Sequence, residues 1–181
     1  CMVLLKNKDG ILPLAKGRYK RIGLFGPSFS AINLGGYSGP AGDDWRALDA
    51  VTPEQALRAY LGDTAEIVCC EGEEGVGELA ENCDLAIYFA ATLEGENTDR
   101  CSLKLPNKKV AASLSQRDAV VISAKEAKVE ISQDKILNEL LASGTKVCMV
   151  LINGSPVDLG DYEDGLEAIL EAWYPGEQGS A

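Results

Sequence analysis

Short apolar runs of strand length recur along the chain, and segments with helical periodicity separate them. Each run is nearly all apolar and is bounded by polar residues or glycine, which is typical of strands buried in a sheet. The runs are Ile22–Phe25, Glu66–Cys70, Asp84–Phe89, Lys146–Ile152 and Ala168–Ala172. The alternation of strand and helix patterns predicts βαβ units with right-handed crossovers. We therefore expect one α/β domain over residues 1–181, a three-layer α/β/α sandwich with a mainly parallel sheet of five or six strands.

Helix-start and helix-stop signals lie between these runs. In Thr52-Pro53-Glu54-Gln55, threonine suits the N-cap, proline suits the first turn, and glutamine completes a capping box. Gly62 is suited to end this helix, and a short helix is predicted over Val76–Glu81. Ser132 is the expected N-cap of a further helix that ends at Gly144. The predicted buried stripe of that helix is Ile136, Leu137, Leu140 and Leu141.

The composition limits the possible classes of function. The chain has 181 residues, of which 46% are hydrophobic, and this is enough apolar material for the core of one domain. Its formal net charge of −11 disfavours nucleic acid and anionic membranes as partners, since both attract Lys and Arg. No apolar run approaches the roughly 18 residues of a membrane-spanning helix. The chain has no histidine, which excludes Ser-His-Asp and Cys-His catalysis and most zinc sites. We predict no metal site and no cofactor.

The cysteines are Cys1, Cys69, Cys70, Cys83, Cys101 and Cys148. An even number of cysteines can indicate disulfides, but the positions of these residues argue against pairing. Cys69 and Cys70 are adjacent in a predicted strand, and Cys148 lies within an apolar strand. We interpret most of them as buried free thiols in a reducing compartment, which favours a cytoplasmic protein.

An acidic, glycine-containing segment, Ala90–Arg100, directly follows the third apolar run. Glu94 and Glu96 therefore lie on a loop at the carboxyl end of a strand, which is the edge of an open α/β sheet where ligands bind. A carboxylic acid there can act as a general acid if burial or its neighbours raise its pKa. Arg100 can orient such an acid or bind a substrate hydroxyl. The alternative is a solvated acidic loop with a local Asp99–Arg100 charge pair.

A glycine-rich stretch, Asn33–Gly42, follows the first predicted strand and can form neither a helix nor a central strand. Such a loop can cradle phosphate, which leaves a nucleotide-binding or small-ligand-binding module as an alternative function. The dinucleotide fingerprint G-x-G-x-x-G and the P-loop fingerprint are both absent. We interpret the later turn Asn153-Gly154-Ser155-Pro156 as structural.

The acidic segment also carries a family resemblance. Residues Glu94–Arg100 (Glu-Gly-Glu-Asn-Thr-Asp-Arg), with the following Leu103-Lys104-Leu105-Pro106, resemble the acid/base loop of glycoside hydrolase family 3. Further segments are similar to that family, in the same order, over nearly the whole chain. They are Val3–Asn7, Asp9–Leu14, Ile22–Pro27, Leu34–Gly39, Val150–Pro156 and Ala168–Gly176. The chain thus resembles the second, α/β sandwich domain of a β-glucosidase or β-xylosidase of this family.

The resemblance implies the acid/base-bearing domain of a retaining, exo-acting β-glycosidase that hydrolyses terminal β-linked glucose or xylose. In the family, a preceding barrel domain of the same chain carries the aspartate nucleophile, and the active site lies between the two domains. The implied partners are a carbohydrate substrate and that barrel domain, without which the α/β domain is expected to be inactive. The remaining alternative is a non-catalytic small-ligand-binding or structural α/β domain.

The resemblance also implies roles for individual residues. By its position before Asp99-Arg100, Glu96 matches the acid/base, and Glu94 is the second assignment for that role. Asp99 would orient the loop, and Arg100 would hold the loop or contact substrate. The residues of the glycine-rich loop that are expected to contact the sugar are Tyr37 and Ser38.

Two features depart from the family pattern. Residues 108–130 form an extra stretch in which Ala119–Ser123 and Lys128–Ile131 have β-like composition, so an inserted hairpin beside the acidic loop is predicted. The chain stops at Gly179-Ser180-Ala181, where the resemblance would continue into another helix and strand. We therefore expect a fragment of a larger enzyme.

Overall fold

The computed structural model describes residues 1–30, 51–92, 100, 102–107, 131–176 and 179–180. In these ranges the strands are β1 (Val3–Asn7), β2 (Arg21–Phe25), β3 (Glu66–Cys70), β4 (Leu85–Ala91), β5 (Val147–Ile152) and β6 (Ala168–Glu171). The α-helices are α1 (Pro53–Leu61), α2 (Val76–Glu81) and α3 (Gln133–Ala142). The glycine-rich stretch Asn33–Gly42 and the predicted insertion at 108–130 lie outside the described residues.

The strands of the described ranges form one sheet in the order β1-β6-β5-β4-β2-β3. Every neighbouring pair is parallel except β1 with β6. The prediction of a mainly parallel sheet of five or six strands is confirmed. Strand β4 is central, with β5 on one side and β2 on the other, so the loop that follows β4 leaves from the middle of the sheet.

Strand β1 is an antiparallel edge strand that the sequence pattern does not predict. Val3, Leu4 and Leu5 are exposed, so β1 lacks the buried run or alternation by which strands are recognised. Its Val3 pairs with Glu171 and its Asn7 with Ala168. Strand β1 therefore starts at the carboxyl end of β6 and runs back along it.

Side chains of β4 alternate between two apolar layers. Tyr88 and Ala90 pack in the cluster that contains the buried residues of α2 and α3. Ile87 and Phe89 pack in the cluster on the other face, which contains Leu61 of α1. Helices therefore flank both faces of the sheet, and the predicted three-layer sandwich is confirmed.

Capping hydrogen bonds confirm the predicted starts of α1 and α3. Thr52 Oγ1 accepts from the Gln55 N–H at 3.2 Å, and Gln55 Oε1 accepts from the Thr52 N–H at 3.0 Å. Ser132 Oγ accepts from the Lys135 N–H at 3.3 Å. The buried side chains of α3 are Gln133, Ile136, Leu137 and Leu140. Within the described ranges, no helix has both the length and the apolar character needed to cross a bilayer.

The described cysteines are free thiols in different environments. Cys83 and Cys148 are buried, Cys69 and Cys70 are half-buried, and Cys1 is exposed. The prediction of free thiols is confirmed for these residues, but the prediction that most are buried is wrong for them, because Cys69 and Cys70 lie in β3, an edge strand of the sheet. Burial raises the pKa of the Cys148 thiol to about 12. Cys101 lies outside the described residues.

Candidate functional site at the carboxyl edge of the sheet

The acidic loop begins at the carboxyl end of β4. All residues of β4 are buried, and the next residue, Thr92, is 1% exposed. The Thr92 N–H donates to the Ile152 carbonyl at 3.0 Å, so the chain is still paired with the end of β5 where the loop begins. The predicted site residues that lie outside the described residues are Tyr37, Ser38, Glu94, Glu96 and Asp99.

Arg100, near the other end of the acidic segment, is bound to the turn that follows β5. Its Nε and Nη2 donate to Ser155 Oγ at 3.3 and 3.1 Å, and Nη2 also donates to the Pro156 carbonyl at 2.5 Å. Its Nη1 donates to the Lys104 carbonyl at 3.2 Å. The residues on either side of the interval 93–99 therefore both lie beside the end of β5. These contacts fix Arg100 beside the end of β5. Its role in holding the acidic loop and its contact with substrate stay predictions.

The Leu103–Pro106 segment is docked on the loop that follows β5. The Asp158 N–H donates to the Leu103 carbonyl at 2.9 Å, and Leu105 is buried. Lys104 Nζ lies 3.1 Å from Asp158 Oδ2 and 2.6 Å from Asp161 Oδ2. Because exposed ion pairs add little stability, the backbone bond and the buried leucine fix this segment.

A buried glutamine, Gln133, bonds to the backbone on both sides of the acidic loop. Its Oε1 accepts from the Tyr88 hydroxyl at 3.1 Å and from the Ala91 N–H at 3.0 Å. Its Nε2 donates to the Ala91 carbonyl at 2.8 Å and to the Pro106 carbonyl at 3.0 Å. Burial raises the pKa of Tyr88, so its hydroxyl stays protonated and acts as a donor. Sequence reasoning misses Gln133, because a glutamine in the first turn of a helix is ordinarily solvated.

The end of β2 explains why Ala91 needs a side-chain partner. Strand β2 pairs with β4 only as far as Phe25 with Tyr88. The next residue, Gly26, has φ +95°, and a Cβ there would lie 2.5 Å from the Phe89 carbonyl oxygen. The chain turns away at this glycine, and the Gln133 amide takes the place that a neighbouring peptide group would have beside Ala91.

Two buried polar atoms at this edge, Thr92 Oγ1 and Asn153 Oδ1, have no hydrogen-bond partner among the described residues. They directly follow Ala91 and Ile152, the last paired residues of β4 and β5. The Asn153 Nδ2 donates to the Ser155 carbonyl at 2.8 Å, which fixes the orientation of its amide. Buried polar atoms are rarely left unpaired, so these two provide unused hydrogen-bonding capacity at the carboxyl edge of the sheet.

The described part of this edge offers hydrogen-bonding groups. Within the described part of the chain, no three His, Cys, Asp or Glu side chains are grouped so that they can hold a metal ion. Arg100 binds to the turn Asn153-Gly154-Ser155-Pro156, which we interpret from the sequence as structural. No local signal distinguishes such a turn from an ordinary one, because its partner lies 55 residues away along the chain.

Comparisons with known proteins identify the family. The family model described as the glycosyl hydrolase family 3 C-terminal domain matches residues 2–181. Probable β-D-xylosidase 7 of Arabidopsis thaliana is 29% identical over 193 residues, which cover 98% of this chain and 21% of that protein. Thermostable β-glucosidase B of Acetivibrio thermocellus is 26% identical over 191 residues, which cover 97% of this chain and 21% of that protein. The chain spans about a fifth of the length of these curated relatives.

Solved structures share the fold. The β-glucosidase of Listeria innocua, solved in complex with gluconolactone, superposes with a TM-score of 0.70 at 23% identity, covering 99% of this chain and 22% of that chain. A family 3 exo-β-xylosidase also superposes with a TM-score of 0.70, at 21% identity. At these identities the likeness shows the fold alone. The family match over residues 2–181 shows more: the chain belongs to glycosyl hydrolase family 3, as a C-terminal domain of the kind found in β-xylosidases and β-glucosidases.

Proposed function

We propose that the chain is the acid/base-bearing domain of a retaining, exo-acting β-glycosidase that releases terminal β-linked glucose or xylose. The observation that carries the proposal is the anchoring of the interval 93–99. Thr92 before it is bonded to the end of β5, and Arg100 after it is bonded to Ser155 and Pro156 just beyond β5. A short acidic interval held on both sides at the carboxyl edge of the central strands supports ligand chemistry at that edge.

Glu96 is the proposed acid/base. In the first step its carboxyl proton passes to the glycosidic oxygen while the C–O bond breaks and the nucleophile carboxylate bonds to the anomeric carbon. In the second step the Glu96 carboxylate accepts a proton from water, whose oxygen attacks the anomeric carbon and displaces the nucleophile. Glu94, two residues earlier, is the second candidate for the same role.

The nucleophile comes from outside this chain in the proposal. Retaining hydrolysis uses two carboxyl groups roughly 5–5.5 Å apart across the sugar, and the resemblance assigns the second to an aspartate of a preceding barrel domain. The curated relatives are long enough for such a domain, because the chain covers only 21% of them. Closure of the two domains around the sugar would exclude water and raise the pKa of Glu96.

Other residues of the proposed site bind and orient. Asp99 orients the loop, and Arg100 holds it against Ser155 and Pro156. The hydroxyl groups of Tyr37 and Ser38 can each donate to and accept from sugar hydroxyls.

The proposal is tested by hydrolysis of aryl β-glucosides and β-xylosides by the full-length parent enzyme, with leaving groups from good to poor, with and without azide. The variants are Glu96→Ala, Glu94→Ala and, as a control, Glu81→Ala at the exposed end of α2. We expect Glu96→Ala to lose about 10²–10⁴-fold on poor leaving groups, which depend on protonation, and less on good ones. Azide should restore its turnover on good leaving groups, for which the second step is limiting, because azide attacks the glycosyl-enzyme without a general base.

The outcomes separate the assignments. If Glu94→Ala shows the loss and Glu96→Ala does not, the acid/base is Glu94. If both variants behave as the Glu81→Ala control does, the catalytic proposal fails. The remaining interpretation is then a non-catalytic small-ligand-binding or structural domain.

A further inference from the structure

We propose that Gln133 is a positioning residue that fixes the two ends of the acid/base loop, at Ala91 and Pro106, an inference that rests on the function proposed above for that loop. The loop comprises residues 92–106, from the first residue after β4 to the end of the Leu103–Pro106 segment. Gln133 is the first residue of α3, outside the loop, and it reaches the loop through its side chain.

The Gln133 amide uses its full hydrogen-bonding capacity. A primary amide has two acceptor sites on oxygen and two N–H donors. All four are used, by Tyr88 and Ala91 on the oxygen and by the Ala91 and Pro106 carbonyls on the nitrogen, at 2.8–3.1 Å. The side chain is 0% exposed, so water does not compete for these bonds. A rotation or shift of the amide breaks several bonds together, which restricts it to one position.

The same nitrogen bonds to backbone on both sides of the loop. Ala91 immediately precedes the loop, and Pro106 is its last residue; both carbonyl oxygens lie within 3.0 Å of Gln133 Nε2. One side chain therefore fixes the positions of the two ends of the loop relative to each other. Arg100 holds the loop at a third point, on the turn beyond β5.

The first turn of α3, which carries Gln133, is itself fixed by hydrogen bonds. Asn107 Oδ1 accepts from the Asp134 N–H at 3.0 Å, and Asn107 Nδ2 donates to the Asp134 carboxylate. The Tyr162 hydroxyl donates to Asp134 Oδ1 at 2.5 Å. These bonds connect α3 to the residue that follows the loop and to the segment before β6.

Such anchoring matters because the acid must meet the leaving oxygen within hydrogen-bond distance. A displacement of about 1 Å can lower a rate about 10²-fold. Gln133→Met keeps the length of the side chain but loses all of these hydrogen bonds. The buried Ala91 carbonyl and the half-buried Pro106 carbonyl then lack their shared partner, and the two ends of the loop lose the side chain that joins them.

The experiment measures kcat and kcat/KM of the full-length parent enzyme on aryl β-glucosides and β-xylosides that differ in the pKa of the leaving phenol. The ratio kcat/KM reports the first step, and kcat also reports the second step, on which azide acts. The variants are Gln133→Met, Glu96→Ala, Glu94→Ala and a control, Thr145→Val. Thr145 Oγ1 donates to the Ala80 carbonyl at 2.7 Å, beyond the other end of α3. The control therefore also removes a side-chain-to-backbone bond, but one distant from the loop.

We expect Gln133→Met to lose about 10–100-fold on poor leaving groups and no more than about 3-fold on good ones, as a displaced acid predicts. Azide should partly restore its turnover on good leaving groups, because general-base assistance of the second step is weakened too. Thr145→Val should change the thermal midpoint without changing the dependence on the leaving group.

A loss by Gln133→Met that is equal across all leaving groups would assign this residue to stability alone and overturn the inference. The inference also fails, while the proposed function stands, if Glu96→Ala or Glu94→Ala shows the leaving-group dependence and Gln133→Met does not. If neither glutamate variant shows it, the proposed function fails and the positioning role fails with it.

Discussion

Replacing Gly26 by alanine tests the close approach of the β2 turn to β4. Gly26 has φ +95°. A Cβ at this residue lies 2.5 Å from the Phe89 carbonyl oxygen, 2.8 Å from Tyr88 Cε2 and 3.1 Å from the Phe89 carbonyl carbon. Two of these atoms belong to the backbone of the central strand and cannot rotate away. The turn must therefore shift in the variant, and the last paired residues of β2 must shift with it.

The expected cost has two parts. A non-glycine residue at positive φ costs roughly 1–2 kcal/mol, and an added methyl group in a packed site costs about 1–3 kcal/mol. Gly26→Ala should therefore lower the free energy of unfolding by about 2–5 kcal/mol. Gly144→Ala is the matched control, because Gly144 has φ +76° but no atom within 4 Å of its Cβ position. It should lose only about 1–2 kcal/mol.

Urea unfolding of the 181-residue chain, followed by far-UV circular dichroism, measures both losses as shifts of the midpoint at constant slope. The difference between the two variants isolates the contact with β4 from the backbone cost that they share. Equal losses for Gly26→Ala and Gly144→Ala would refute the reasoning, since the contact with Phe89 would then carry no cost.

Further predictions concern titrating groups. Burial raises the pKa of Cys148 from its ordinary 9.0 to about 12. Just above pH 9, therefore, the unfolded chain loses the Cys148 proton and the folded chain keeps it. The free energy of unfolding should fall as the pH rises from 9 towards 12. Cys148→Ala should show a smaller alkaline loss of the urea midpoint, and an unchanged loss would contradict this assignment. In the folded chain, iodoacetamide should modify the exposed Cys1 and spare Cys148, as peptide mass spectrometry can read directly. The N–H groups of Arg21 and Lys20 lower the pKa of Asp84 below its ordinary 3.8. Its contribution to stability is therefore present above pH 3.8 and is lost as the pH falls through the lower folded value. Asp84→Asn should thus lose less stability on acidification, and an acid limb identical to wild type would count against these hydrogen bonds.

The central strands and the helix boundaries can be predicted from sequence because burial and capping leave local patterns. The continuous apolar run before the acidic loop predicts β4, and Ser132 as an N-cap residue predicts the start of α3. Strand β1 cannot be predicted in this way, because its apolar side chains are exposed and because it pairs with β6, which lies far along the chain.

Some residues of the candidate site can likewise be predicted from sequence, and others cannot. The acidic segment is recognisable as a motif because its residue types are contiguous. The residues that hold the segment are not contiguous with it: Gln133 lies 42 residues after Ala91, and Ser155 lies 55 residues after Arg100. Their roles depend on which groups the sheet brings to one edge, and neither composition nor periodicity carries that information.

The reversed direction of β1 determines where a covalent neighbour would be attached. Because Val3 pairs with Glu171, the last residue of β6, the residues before β1 emerge at the carboxyl edge of the parallel strands. This is the edge that carries Thr92 and Arg100. A short tether holds two domains at effective concentrations in the millimolar range, provided that the tether is long enough to span the distance between their contact sites. Any domain joined ahead of Cys1 would therefore be tethered at the edge of the sheet that carries Thr92 and Arg100. An edge strand that adds little to the core would thus make contact between that domain and this edge intramolecular.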